Sequence, residues 1–170
     1  KGDIFCYINS DDILLPNTLA IVAEFFYFNK KFDLLYGDMN LIDHKGNYKY
    51  THCYRNFFRN EFICHISSLI GQSSAFWRRE IFFESNQFDT KFKLASDYDF
   101  FAKLIIKKKV KFKYIPIPLS SFRIHQDTLS YNFHSTNINE INKIRKKYKY
   151  TISELIISKI FNNYHKFKML

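Results

Sequence analysis

The chain has 170 residues, 46% of them hydrophobic and including 20 Phe and 12 Tyr, which is enough for one core and too short for two full domains. Four Gly leave no Gly-rich dinucleotide fingerprint or P-loop, three separated Cys fit reduced thiols better than a disulfide frame or a zinc knuckle, and the apolar run at residues 20–28, broken by Glu24, is far short of a membrane span. The net charge of +10 suits an anionic partner such as nucleic acid, an anionic membrane or a phosphorylated substrate, or equally a Lys-rich composition on every exposed face.

In chain order, Ile4-Phe5-Cys6-Tyr7-Ile8 reads as a strand buried on both faces. A central strand needs neighbours on both sides, so the chain is expected to be the later part of a longer domain. Pro16-Asn17 opens a helix with Leu19, Val22, Ala23 and Phe26 at helical spacing. Leu34-Leu35-Tyr36 is a short buried strand stopped at Gly37. Residues 39–42 and 48–50 flank a hairpin turn, Asp43-His44-Lys45-Gly46-Asn47. A strand at 73–77, a short helix at 79–84, a longer helix at 97–108, and strands at 111–115 and 119–124 follow. Helices at 138–148 and 152–167 close the chain. The expected architecture is an α/β sheet flanked by helices, with a helical tail.

The turn Asn9-Ser10-Asp11-Asp12 lies at the carboxyl end of a strand, where open α/β sheets bind ligands. Adjacent carboxylates repel unless a cation neutralises them, and their oxygen donors favour Mg²⁺ or Mn²⁺ over zinc. The alternative is structural, with Asp12 ahead of the Pro16 helix and Asp11 in an Asx turn. Asp97 and Asp99, two apart on a helix, point in different directions. Asp97 shares a stripe with Phe101 and Leu104 and leans inward, whereas Asp99, four before Lys103, suits a solvated ion pair. Both acids also suit the positive end of the helix dipole. Arg123 and His125 share one face of a strand, fitting a diphosphate, a metal contact through His125, or a plain surface pair.

Four blocks in order carry a resemblance: residues 2–12 with Leu15-Pro16; Asp33-Leu34-Leu35-Tyr36-Gly37-Asp38 with Asp43 and Gly46; residues 70–79 with Phe88-Asp89; and Ser96-Asp97-Tyr98-Asp99-Phe100 with Phe122-Arg123-Ile124-His125. Together they resemble family 2 glycosyltransferases with the GT-A fold, over residues 1–131. The resemblance implies a Rossmann-like mixed sheet whose amino-terminal, nucleotide-holding strands are missing, followed by a basic tail at 132–170. It implies an inverting enzyme that takes a sugar from a nucleotide-sugar donor to a carbohydrate or lipid-linked acceptor in cell-surface polysaccharide or glycolipid synthesis. Donor and metal contacts would fall to Asn9, Asp11, Asp12, Arg123 and His125, with Mg²⁺ or Mn²⁺ on Asp11 and His125. Gln72 and Ser73 would line a sugar pocket, and Asp97 would be the general base. The family motif commonly reads Asp-x-Asp, whereas Asn9 is neutral here, which puts the metal contact on Asp11.

The tail from His134 onward holds eight Lys/Arg against two Glu. Ile152, Leu155, Ile156, Ile160, Tyr164 and Phe167 recur at helical spacing, a pattern for packing on the domain or for an anionic bilayer. The expected location is cytoplasmic, at the inner face of the membrane. Two further readings stand beside the enzyme: a basic nucleic-acid-binding module, disfavoured because the basic residues are not interleaved with aromatics along one element, and a non-catalytic fragment that needs a partner chain.

Overall fold

A computed structural model describes residues 2–64, 68–126 and 134–148. The described strands are β1 (Ile4–Cys6), β2 (Ile13–Leu14), β3 (Leu34–Ile42), β4 (Tyr48–His52), β5 (Ala75–Arg78) and β6 (Phe112–Arg123). They form one sheet in the order β1-β5-β3-β6-β2, with β4 also paired to β3. The β3–β6 pair is parallel and the others are antiparallel. The helices are α1 (Thr18–Phe28), α2 (Arg59–Cys64), α3 (Arg79–Glu84), α4 (Ser96–Ala102) and α5 (His134–Lys147). The second expected tail helix, at 152–167, lies outside the described residues.

Alternation along β3 and β5 sends side chains to two cores. Leu34, Tyr36, Ala75 and Trp77 face one side, packed with Tyr98, Phe100, Phe101 and Ile144. Leu35 and Phe76 face the other, packed with Val22, Phe26 and Leu119. Trp77 is therefore a core residue. In α1 the buried stripe is Thr18, Val22 and Phe26, spaced by four. This corrects the expected stripe, because Leu19 and Ala23 point outward.

Gly37 does not stop the strand. Residues 34–36 and 39–42 are one strand, and so are 111–115 and 119–124, because the interruptions on the two chains face each other. Gly37 pairs with Ile115, Asp38 with Pro118 and Met39 with Ser120, so Pro116, Ile117 and Leu119 are extra residues bulged from β6. A Cβ at position 37 would lie 2.6 Å from the Ile117 carbonyl oxygen and 2.7 Å from Leu119 Cγ. Only glycine permits that approach.

β1 lies at the edge of the described sheet. It pairs with β5 alone among the described residues, Cys6 and Tyr7 are exposed, and Ile4 and Phe5 are only half-buried. The hairpin turn is as expected: the Asp43 carboxylate accepts the Lys45 and Asn47 amides, each at 2.9 Å, and Gly46 takes φ 89°.

The expected helix at 97–108 divides into α4 and a π-helical segment, Lys103–Lys108. Asp99 is not solvated but fully buried. Its carboxylate accepts Lys147 Nζ at 2.8 Å and the Tyr148 hydroxyl at 3.1 Å, with Lys103 Nζ at 3.8 Å. α5 thus covers the position that local spacing left open. α5 also supplies Glu140, whose carboxylate accepts the backbone amides of Lys93, Leu94 and Ala95 at 3.1, 2.9 and 3.0 Å. This fixes the approach to α4 and therefore the position of Asp97.

Two expected outcomes follow from this packing. Gly37→Ala should lower stability in urea denaturation by about 1–3 kcal/mol, the range for forced overpacking, while Gly2→Ala, whose Cβ would meet ordinary contact at 3.6 Å, should not. Burial alone would raise the Glu140 pKa, but its three amide donors outweigh this and hold it below the ordinary value. Its stabilising contribution is therefore whole above about pH 4.3, the ordinary glutamate value, and is lost as the pH falls through the lower native value. Melting temperatures should fall across that window, and the Glu140→Gln variant should be less stable at pH 7 by about 1–2 kcal/mol with a shallower acid decline.

Candidate active site

The turn between β1 and β2 is closed by its own polar groups. The Asp12 amide donates to the Asn9 carbonyl and Asn9 Nδ2 donates to Asp12 Oδ2, both at 3.2 Å. Pairing of Ile13 with Ser121 and of Leu14 with Ser120 then lays the turn beside the end of β6. The Arg123 amide donates to Asp12 Oδ1 at 3.0 Å. Arg123 Nε donates to the Asp11 carbonyl at 3.0 Å, and Nη1 donates to the carbonyls of Asp43 and His44 at 3.0 and 3.3 Å. The guanidinium is therefore a clamp between the acidic turn and the β3–β4 hairpin. These bonds give Arg123 a structural role, because turn carbonyls close to the sheet need donors.

His125, two residues on, points at the same turn. Its Nε2 lies 3.0 Å from Asp11 Oδ2, and the two side chains keep 29% and 39% of their surface exposed. The sequence thus brings together side chains 114 positions apart at an accessible edge. Burial pushes the Asp12 carboxyl above the ordinary aspartate value. The Arg123 amide opposes that shift, and the neighbouring Asp11 charge adds to it.

The Asp11–His125 spacing, which is that of a hydrogen bond, also leaves room for two ligands of one ion. Two ligands adjacent on an octahedron with bonds of 2.0–2.1 Å stand about 3 Å apart, which matches the Asp11–His125 separation. Among the described residues, no group of three or more His, Cys, Asp or Glu side chains is placed to hold a metal. Mg²⁺ commonly takes one or two protein ligands and completes its shell with phosphate oxygens and water. The donor set therefore fits an ion that arrives with a phosphorylated ligand.

Beneath this edge lies a hydroxyl cluster that sequence reading only touched. Ser120 Oγ sits 2.9 Å from Ser73 Oγ and 2.6 Å from Ser74 Oγ, and Ser74 donates to the Asp38 carbonyl at 2.7 Å. Ser73 is buried, so it supports the floor instead of facing a sugar. Gln72 Nε2 donates to the Tyr7 carbonyl, tying the turn before β5 to the end of β1.

Asp38 and Tyr54 were missed as a unit. The buried Asp38 carboxylate accepts the Tyr54 amide at 2.8 Å and the Tyr114 hydroxyl at 2.7 Å. Both contacts are long-range, and the legible signal was an acid set inside an apolar strand run. The Tyr54 ring lies over Gly71, where a Cβ would be 2.7 Å from its hydroxyl. Burial, then the charges of Asp97 and Asp38, raise the Tyr54 pKa and keep the phenol protonated.

Asp97 occupies the first turn of α4, half-buried, and accepts the Tyr98 amide at 2.8 Å. Burial raises its pKa, and the amide opposes the shift. The Asp97 charge acts on Tyr54, whose ring overlies Gly71, and the turn that follows Gly71 reaches β6 through Ser73, Ser74 and Ser120. A separate cleft of about 770 Å³, lined by Asp89, Lys103, Lys107 and Lys147 among others, contains none of these residues.

No protein-family model matches the chain, and no curated protein matches it. Among solved structures it is similar to S. aureus TarS, a glycosyltransferase, at 14% identity and TM-score 0.53, covering 80% of this chain and 24% of that one. It is also similar to TarS 1–349, at 14% identity and TM-score 0.54, covering 93% and 47%. A third match is TarS 1–349 in complex with UDP, at 14% identity and TM-score 0.51, covering 87% and 46%. The chain spans between about a quarter and a half of these neighbours. Its fold is a mixed α/β sheet with flanking helices, of the kind found in glycosyltransferase domains.

Proposed function

We propose that the chain is the carboxyl-side part of a family 2-like, inverting glycosyltransferase that uses a nucleotide-sugar donor. The observation that carries this reading is the Asp11–His125 contact at 3.0 Å, at a strand-end edge in a fold shared with a UDP-bound glycosyltransferase structure. Asp11 and His125 would hold Mg²⁺ or Mn²⁺, which would supply positive charge to offset that of a leaving nucleoside diphosphate. Arg123 keeps the Asp11 carbonyl and the hairpin in register, so the carboxylate stays aimed at the donor. Asn9 and Asp12 close the turn from the other side.

Asp97 is the general base. As the acceptor hydroxyl oxygen bonds to the anomeric carbon, the bond from that carbon to the diphosphate oxygen breaks, and the hydroxyl proton passes to the Asp97 carboxylate. Its burial suits the role, because a base works best when its pKa approaches the operating pH. Gln72 orders the rim between the donor edge and Asp97, with Ser73 beneath it. The acceptor is a carbohydrate or a lipid-linked sugar of the cell surface.

The test is donor hydrolysis and sugar transfer by the protein, with the divalent ion present and after chelation. Asp97→Asn should lower the rate by about 10²–10⁴-fold while leaving thermal stabilisation by UDP and Mn²⁺ unchanged. The parent rate should rise as the pH climbs through an Asp97 pKa above the ordinary aspartate value. Parent-level transfer in Asp97→Asn would remove Asp97 from the base role.

A further inference from the structure

The edge of the sheet farthest from the acidic turn carries exposed aromatic rings among lysines. Tyr27 and Phe28, at the end of α1, are 67% and 72% exposed, and the exposed Lys30 and Lys31 follow at once. The Asp33 amide donates to the Lys111 carbonyl at 2.8 Å and Asp33 Oδ2 accepts the Lys111 amide at 2.8 Å, so this turn adjoins the start of β6. Arg59 donates to the carbonyls of Lys109 and Val110 at 3.2 and 3.1 Å. Its neighbour Phe58 is 75% exposed. These groups therefore flank one end of the sheet, Tyr27, Phe28, Lys30 and Lys31 on the α1 side and Phe58 on the α2 side, with Lys107, Lys108, Lys109 and Lys111 adding positive charge.

We propose that this edge is a peripheral docking surface for an anionic lipid bilayer. Lysines within a Debye length of acidic headgroups are attracted to them, and aromatic rings partition into the headgroup boundary. A second copy of the chain is a poor occupant, because the edge would face its own positive charge. Single-stranded nucleic acid would need open ring faces for stacking. Here Tyr27 and Phe28 pack edge to face at 5.0 Å and 89°, and Lys30 Nζ lies 5.0 Å over the Tyr27 ring. Insertion into a headgroup layer needs exposed ring area and does not need free faces.

β3 begins at this edge, and Asp43, which Arg123 contacts, lies just past its other end. Nine residues of strand put the acidic turn about 30 Å away.

The test is co-sedimentation of the full chain with vesicles of phosphatidylcholine alone or with phosphatidylglycerol added. Binding should require the anionic lipid and fall with salt. Lys30→Gln/Lys31→Gln should weaken it about 30-fold, at about five-fold per lysine, and Phe28→Ser should weaken it further, with melting temperatures unchanged. No binding to anionic vesicles would overturn the proposal. Equal binding by parent and variants would also overturn it, assigning attachment to the 149–170 tail. Capture of single-stranded RNA with no vesicle binding would overturn it in favour of a nucleic-acid surface. None of these readouts depends on sugar transfer, so their failure leaves the enzymatic reading standing.

Discussion

A methyl group at position 37 would sit 2.6 Å from a carbonyl oxygen of β6, and the arrangement of the sheet rests on its absence. Because Gly37 lets the two backbones close together, β6 can bulge through Pro116, Ile117 and Leu119 without leaving β3. Beyond the bulge it is held in register from Met39–Ser120 to Ile42–Arg123. That register places Ser120 under the Ser73–Ser74 turn and delivers Arg123 and His125 to a turn more than a hundred residues earlier in the chain. A proline contributes no amide to a ladder, so the two prolines fall where the ladder is already broken.

The two acids of α4 show how burial separates roles. Asp99 is fully buried but compensated by Lys147 and Tyr148. Burial would lower the Lys147 pKa, yet the hydrogen bond and charge of Asp99 hold it above the ordinary value. The pair fastens α5 to α4, and removing one partner of such a buried pair typically costs about 3–5 kcal/mol, less where one partner is part-exposed as Lys147 is. Asp97, two residues earlier, has no cation bonded to it in the described structure and answers its burial with a raised pKa. One carboxylate fastens two helices together, and the other, left without a cation, is the one the proposed reaction would use as its base.

Much of this was legible in the sequence, for identifiable reasons. The acidic turn stood out because adjacent carboxylates at a strand end repel unless neutralised, and alternation on a strand put Arg123 and His125 on one face. The Asp43 turn was legible because its chemistry is local. The rest depended on contacts distant in sequence. Spacing within the helix gave the Asp99–Lys103 neighbourhood correctly but could not show that α5 would cover it. Gly37 and the prolines read as separate strand ends, since each signals a break locally and only their apposition makes a bulge. The Arg123 clamp was not legible, because nothing in its neighbours revealed three backbone carbonyls waiting for its guanidinium. Ser73 read as a pocket residue for the same reason, its partner Ser120 being 47 positions away.

The account rests on Asp11 and His125 forming one ion-binding edge that takes up a nucleoside diphosphate. The direct measurement is proton NMR of the histidine rings, with His125 assigned through the His125→Gln variant, during addition of Mn²⁺ with and without UDP. Paramagnetic broadening that selects His125 and is strongest with UDP present is the predicted result. Binding of UDP and Mn²⁺ that leaves the His125 ring signal sharp would contradict the account.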